Sequence, residues 1–330
     1  MPLTLVQHED PAPLQAFAAA IGTRDPATIA AYQSILRNLV AWLATRPGGR
    51  LFRMELLTET AVRDYLEHLR QVERAPRTRA KALTVIRRFC RWAVDEGLLH
   101  RNPATGVERP TVAALAPTEL TPDQRYVLHQ LVERAASPRL AAIVALGYWA
   151  GLRISEIAPL RMQDCDLNER IGTLRLVDAK GGKTRTIDLH NRARRPLHTY
   201  LYMEAGQRLR SPASDVRDAE SPYVFTSQRA AWLRQQGRPD HLSTRGIMHL
   251  WDGLKATSTK DEWTLIKDVT FHDLRHDWAH RARAAGWQLE EIAVYAGHQT
   301  KDGAPAIATT ARYTLPSRQQ LRARLQVLGG

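Results

Sequence analysis

The sequence predicts a mainly helical protein with a small antiparallel β-sheet, divided into two domains. Three observations carry that class. Apolar residues recur at helical spacing through most of the first hundred positions. Prolines then punctuate a stretch without periodicity. In the otherwise helical second half, two short runs rich in β-branched and apolar residues, 171–177 and 184–189, flank a turn containing glycine. A chain of 330 residues also exceeds the roughly 100–200 of a single domain.

The first helix is expected over Leu14–Ile21. The second is expected from Asp25 and Pro26, a cap followed by proline in the first turn, with Ile29, Tyr32, Leu36, Leu39 and Leu43 spaced by three and four. Thr58–Leu69 and Thr78–Asp95, the latter closed by Gly97, complete a four-helix unit. From Asn102 to Pro122 periodicity fails and prolines stand at 103, 110, 117 and 122, as in a semi-extended linker. The expected bounds are a tail at 1–11, a helical domain at 12–108, a linker at 109–120 and a second domain at 121–330. Thr121-Pro-Asp-Gln124 is a capping box opening the next helix. Pro138–Ala150 is apolar nearly all round and is broken by Gly151, with Ser155 expected to cap a further helix at Glu156. Ile171–Val177 and Thr184–Leu189 read as a hairpin, Tyr223–Thr226 as a third strand and Arg208–Ser221 as a polar loop. Helices return after Leu242, and the segment from Ser317 to Leu328 places Leu321, Leu325 and Leu328 on one side.

Composition narrows the function. Lysine and arginine outnumber aspartate and glutamate by 47 to 34, a net charge of +13, which favours a polyanionic partner through counterion release. Only 7 of those 47 are lysines, and two of them, Lys180 and Lys183, sit in the hairpin turn. Cys90 and Cys165 form neither a disulfide framework nor a zinc pattern, which points to a reducing compartment. The opening MPLTLVQHEDPAP lacks the basic and apolar segments of a secretory leader. The longest apolar stretch, Leu140–Leu152, is about 13 residues where a membrane span needs roughly 20, so no membrane is expected and the location is read as cytoplasmic.

Several residues stand out as candidates. On the helix 78–95, with its approach, Arg77, Lys81, Thr84, Arg88 and Arg91 fall within about 40° of one direction, opposite Leu83, Ile86, Phe89, Cys90 and Ala93. This stripe is either a solvated face or a set of phosphate contacts. Arg153 lies in a tight connection between two helices, as a surface charge or a held cation. His272 and Arg275, at i and i+3, project towards a common point where an imidazole and a guanidinium can both bond one phosphate. His276 and His280 continue the spacing, but neither the HExxH arrangement nor a cysteine accompanies them, so no metal is expected. His298 follows Gly297 at a helix end, and Tyr313 lies 15 residues later.

In this order the residues resemble the boxes of the tyrosine recombinase, or phage integrase, family, including its Xer-type two-domain members. The boxes are Ala145-Leu-Gly-Tyr-Trp-Ala-Gly-Leu-Arg-Ile-Ser-Glu-Ile-Ala-Pro-Leu, the turn lysine before Gly181, His272-Asp-Leu-Arg275-His, Gly297-His298 and Thr309-Thr-Ala-Arg-Tyr313-Thr. The N-terminal half, including Arg101-Asn-Pro-Ala-Thr-Gly-Val, is similar to the family's helical, SAM-like core-binding domain.

The resemblance implies a C-shaped clamp around duplex DNA, with an α+β catalytic domain. Tyr313 would form a 3′-phosphotyrosyl bond, Arg153 and Arg275 would hold the non-bridging oxygens, His272 would assist proton transfer and His298 would donate to the phosphate. Lys180 would be the general acid, with Lys183 as competitor, and Glu156 an accessory acid that orients the pocket. No cofactor is implied, neither ATP nor metal, because the phosphotyrosine stores the bond energy. The stripe becomes a DNA-facing candidate. The segment 317–328 would dock on a neighbouring protomer in a tetramer on paired sites, with a second recombinase or accessory protein as an option.

Two features depart from the family pattern. The segment Lys301–Ala306 lengthens the connection from His298 to Tyr313 by about six residues, which would loosen or redirect the tyrosine segment. Tyr295 replaces an aliphatic residue ahead of Gly297-His298, and its place in an apolar helical pattern indicates packing rather than nucleophilic attack. The rival functions are a type IB topoisomerase, with a similar pocket working as a monomer, and a non-catalytic DNA-binding regulator. The first lacks a reason for the docking tail, and the second for competent chemistry at all the catalytic positions.

Overall fold

The computed structural model describes residues 10–22, 26–49, 51–112, 119–168, 170–177, 184–202, 218–300 and 302–311. The chain divides into two compact units, Met1–Ala114 and Leu115–Gly330.

The first unit is built from α1 (Ala12–Ala20), α2 (Pro26–Ala44), α3 (Glu59–Gln71) and α4 (Pro76–Asp95). Thr58 caps α3, its hydroxyl accepting from Ala61 N at 3.1 Å; Asp25, the expected cap of α2, lies outside the described residues. Helix α4 begins two residues before its expected start, because Pro76 occupies the first turn. Leu83, Ile86 and Phe89 are buried on one side of α4, with Phe89 edge-on to Phe17 of α1 at 5.3 Å. Burying each such side chain contributes about 1.5–3 kcal/mol, so packing rather than propensity holds the helix. Arg77, Lys81, Thr84, Arg88 and Arg91 are all exposed on the opposite side.

The segment after α4 is anchored, not extended. Arg87 donates from Nε to Ala104 O at 2.9 Å, and Asn102 Nδ2 donates to Arg87 O at 2.9 Å. Ala104 and Val107 are buried in the same core, so the segment up to 107 packs as part of the first unit.

In the second unit, α5 (Pro122–Ala135) opens with the expected capping box between Thr121 and Gln124. Then come α6 (Pro138–Trp149), buried along most of its length, and the short α7 (Ile154–Ile157). The sheet has the order β1 (Cys165–Leu167), β2 (Gly172–Val177), β3 (Thr184–Asp188), antiparallel throughout, with Leu174 opposite both Cys165 and Ile187. The hairpin β2–β3 is the expected one; the third strand is not. Tyr223–Thr226 makes only isolated bridges, Arg161 with Tyr223 and Thr226 with His241. Val224 and Phe225 are fully buried in a loop whose backbone bonds go to two separate segments, through Leu160 O and Leu242 N. Burial, not strand pairing, explains that apolar run.

The remaining helices are α8 (Asn191–Leu201), α9 (Ala230–Gln235), α10 (Thr244–Ala256), α11 (Lys260–Ile266), α12 (Phe271–Ala284), α13 (Leu289–Ala296) and α14 (Ile307–Ala311). Helix α12 lies against α6, where a Cβ on Gly147 would meet the Phe271 ring at 2.8 Å. Most of the expected 208–221 loop and the whole 317–328 segment lie outside the described residues. No helix among the described residues is long and apolar enough to cross a membrane.

Candidate active site

Arg153 follows the break between α6 and α7. Gly151 is left-handed there (φ 62°), and a Cβ on it would lie 2.5 Å from the Trp278 ring of α12, so both backbone and space require glycine. Ser155 does not cap α7 as expected, because the helix starts earlier and contains it. Arg153 occupies the cap position instead, its backbone N–H donating to Glu156 Oε2 at 2.8 Å. The side chain of Arg153 is 31% exposed and donates from Nη1 to Glu156 Oε1 at 3.0 Å and to Ala296 O at 3.2 Å.

Helix α12 presents His272 and Arg275 as the spacing predicts. Arg275 is only 1% exposed. It donates to Gly151 O, to Ala296 O at 2.6 Å and to His298 Nε2 at 2.9 Å, with Glu156 Oε2 at 3.7 Å. Its anchors thus come from the Gly151 turn, the C-terminus of α13 and His298, two residues beyond that helix. Free carbonyls at a helix end suit a cation by hydrogen bonding and by dipole.

Gly297 ends α13 in the left-handed conformation (φ 66°) and turns His298 inward, where it is buried. The guanidinium of Arg275 can only donate, so Nε2 of His298 accepts and Nδ1 carries the proton, donating to Thr310 Oγ1 at 3.0 Å. Burial first, then the charges of Arg275, Arg153 and Arg185, push the His298 pKa down to about 3, so the ring is neutral. Its expected role as a phosphate donor therefore needs a proton that it lacks in this state.

Glu156 lies among three guanidiniums. Arg185 of β3 donates to Oε1 at 2.8 Å beside Arg153, while Arg275 faces Oε2. Burial raises the Glu156 pKa, but the hydrogen bond and charge of Arg185, with Arg275 and Arg153, outweigh it and keep the carboxylate ionised. His272 lies open to solvent at one edge and edge-on to His276, with ring centroids 4.6 Å apart. Desolvation and then the Arg275 charge lower its pKa, against Asp273, which favours a neutral base. Among the described residues, no group of three His, Cys, Asp or Glu could hold a metal ion.

Lys180, Lys183 and Tyr313 lie outside the described residues, as does Lys301. The longer connection between His298 and Tyr313 nevertheless has a form. Gln299 bridges Pro305, Thr300 N donates to Ala304 O at 2.8 Å, and Ala306 N donates to His298 O at 2.7 Å. The inserted residues close on themselves and return the chain to His298, where α14 begins. Thr310, fully buried, ties α14 to the His298 ring three residues before Tyr313. Tyr295 is stacked on Trp278 at 5.1 Å and donates its hydroxyl to Asp188 O at 2.9 Å. Burial pushes its pKa up to about 12, which fits a packing role.

In the other unit, no acidic side chain among the described residues pairs with Arg77, Lys81, Arg88 or Arg91, whereas Arg63 and Arg70 on α3 do pair with Glu59 and Glu67. Arg185, Thr310 and Asp277 escaped the sequence reading. For Arg185 a signal existed: in a strand it shares a face with Ile187, two residues on, which is the buried face.

Comparison with known proteins places this geometry. Residues 119–319 match the phage integrase family, and residues 17–97 match the phage integrase N-terminal SAM-like domain. Tyrosine recombinase XerD of Bifidobacterium longum is 27% identical over 300 residues, covering 89% of this chain and 88% of that protein. Tyrosine recombinase XerC of Roseiflexus castenholzii is 28% identical over 290 residues, covering 87% and 82%. The fold is shared with Tn1549 transposon integrase in complex with a circular intermediate DNA, at TM-score 0.67 and 15% identity over 96% of this chain and 98% of that one. It is shared equally with a lambda integrase tetramer bound to a Holliday junction, at 0.64 and 14% over 91% and 76%. With the family match spanning well over half its length, the chain belongs to the phage integrase family, alongside the tyrosine recombinases.

Proposed function

We propose that this chain is a site-specific DNA recombinase that cleaves and rejoins strands through a 3′-phosphotyrosyl intermediate at Tyr313, using neither ATP nor metal. The observation that carries the reading is the convergence of Arg153 and Arg275 on one buried carboxylate, with His298 bonded to Arg275 and α14 fastened to His298 just ahead of Tyr313. The phenolic oxygen of Tyr313 attacks the scissile phosphorus, its proton passing towards His272, while the bond to the 5′ oxygen breaks and that oxygen takes a proton from Lys180 or, in its place, Lys183. Arg153 and Arg275 neutralise the charge on the non-bridging oxygens in the pentacoordinate transition state, where fixed donors are most effective. Attack by another strand's 5′-hydroxyl reverses these steps and restores the tyrosine.

The helical domain at 12–108 and the catalytic domain at 121–330, joined by the linker 109–120, grip duplex DNA, with the α4 stripe on the flanking phosphates. The segment 317–328 docks on a neighbouring copy in a tetramer on paired sites at the nucleoid. The test is a nicked suicide duplex, selected from a randomised pool by capture of the covalent adduct. The native chain is expected to form the adduct and Tyr313→Phe none. No adduct with the native chain, or an undiminished one with the variant, sinks the assignment. Relaxation of a supercoiled plasmid lacking recombination sites would favour the topoisomerase reading.

A further inference from the structure

Arg185 has no part in the reaction as proposed, yet it joins three elements of the pocket. It lies on the inward face of β3, with its side chain 12% exposed. Its Nε donates to Tyr295 O at 2.9 Å and its Nη1 to Glu156 Oε1 at 2.8 Å. The Gly297 turn packs against the same guanidinium, where a Cβ on residue 297 would stand 2.6 Å from Nη1. The last two carbonyls of α13 are thus divided among three arginines: Tyr295 O takes Arg185, and Ala296 O takes Arg153 and Arg275.

We infer that Arg185 is a positioning residue: it fixes the Glu156 carboxylate and the Gly297–His298 turn in the register that lets Arg153 and Arg275 grip a phosphate. A planar guanidinium with two directed bonds sets both the distance and the orientation of its partners, which a single ammonium does not. Without it, Oε1 of Glu156 is shared with one arginine fewer and turns towards Arg153 and Arg275, drawing their donors away from the substrate. The anchor of the α13 C-terminus beside His298 is lost at the same time.

The inference rests on the recombinase reading, and the experiment separates the two. Full-length Arg185→Gln, Arg185→Lys, Glu156→Gln and the Arg185→Gln/Glu156→Gln double variant are compared on the suicide duplex, with affinity for the intact duplex measured separately. Arg185→Gln is expected to bind within about twofold of the native chain and to cleave about 10- to 100-fold more slowly in a single turnover, a scale taken from the loss of a hydrogen-bond partner behind a metal ligand. Arg185→Lys is expected to restore little of that loss despite keeping the charge. In the Glu156→Gln background the Arg185 substitution is expected to cost several-fold less than it does alone, because one of the two groups it acts through no longer carries the charge it fixes. Native cleavage by Arg185→Gln or by Glu156→Gln, multiplicative losses in the double variant, or a loss accounted for by affinity would overturn the inference. So would unfolding of both Arg185 variants in thermal melts, which would make Arg185 a structural residue only. A native chain that forms no adduct would instead remove the recombinase reading, and this inference with it.

Discussion

Replacing Asp277 with alanine is the most demanding test of how α12 is held. Its carboxylate is fully buried and accepts four donors: Arg125 Nε and Nη2 at 3.0 and 2.8 Å, Leu120 N at 3.2 Å and Arg281 Nε at 2.8 Å. Removing it strands the buried Leu120 N–H, at about 1–3 kcal/mol. It also leaves two guanidiniums without their anion. Breaking a fully buried pair costs roughly 3–5 kcal/mol. Here the arginines are 25% and 24% exposed, and they keep Glu119 and the Tyr148 carbonyl respectively. That brings the share of the pairs down to about 2 kcal/mol, and the stranded N–H adds about 1, a combined loss of about 3 kcal/mol, or roughly a hundredfold in an opening equilibrium. The chain has two compact units, so one urea midpoint mixes two transitions, and residue-resolved amide exchange is the proper assay. Exchange in α12 should accelerate about a hundredfold in Asp277→Ala and less in Asp277→Asn, which keeps an acceptor. Exchange in α12 at the native rate would refute the claim that this carboxylate fixes the helix bearing Arg275.

Three other outcomes are expected. His298 has a folded pKa of about 3, below its unfolded value, so the unfolded chain binds more protons as pH falls below about 6.5 and stability is lost down towards 3. His298→Gln should flatten the fall in melting temperature between pH 7 and 4.5, and an equal fall would contradict the assignment. Gly151→Ala should destabilise by at least about 2 kcal/mol, from its left-handed φ and the Trp278 ring, as read by amide exchange in α6 and α12; native exchange there would show that the turn adapts. Arg88→Ala with Arg91→Ala should weaken duplex binding and lower the slope of log affinity against log salt by about one per lost contact. An unchanged slope would leave the α4 stripe as a merely solvated face.

What the sequence disclosed divides by the range of the interaction. The two faces of α4, the Thr121 capping box and the β2–β3 hairpin follow from neighbours within a few positions, and all are present in the fold. Cys165–Leu167 is three residues long, too short for any period to register, while the buried loop Tyr223–Thr226 imitates a strand in composition. Arg153 could be seen to be held, but not by what: its partners are Glu156 nearby and Ala296, 143 positions away. Asp277 likewise looks like an ordinary helix-surface acid until Arg125 arrives from 152 positions away. The longer His298–Tyr313 connection shows in the sequence only as added length, whereas the backbone bonds of Thr300 and Ala306 that fold it back to His298 do not; the tyrosine segment itself lies outside the described residues.

The charge balance of the pocket carries the argument one step further. Arg153, Arg185 and Arg275 surround a single carboxylate, so the resting site has two positive charges in excess, and His298 is neutral because burial, and then the charges of all three, disfavour a further proton. In the proposed reaction a phosphodiester anion meets Arg153 and Arg275. It gives His298 Nε2 an acceptor in place of the donor it now meets, so the ring becomes easier to protonate. The histidine thereby gains the proton it needs to donate to the phosphate, and productive binding takes up a proton wherever the pH lies between the free and bound pKa values. Calorimetry of duplex binding in buffers of different ionisation enthalpy measures that uptake directly. It should be present for Tyr313→Phe, which binds without cleaving, and absent for His298→Gln. Equal proton uptake by the two variants would show that His298 stays neutral on the DNA and serves Arg275 as an acceptor alone.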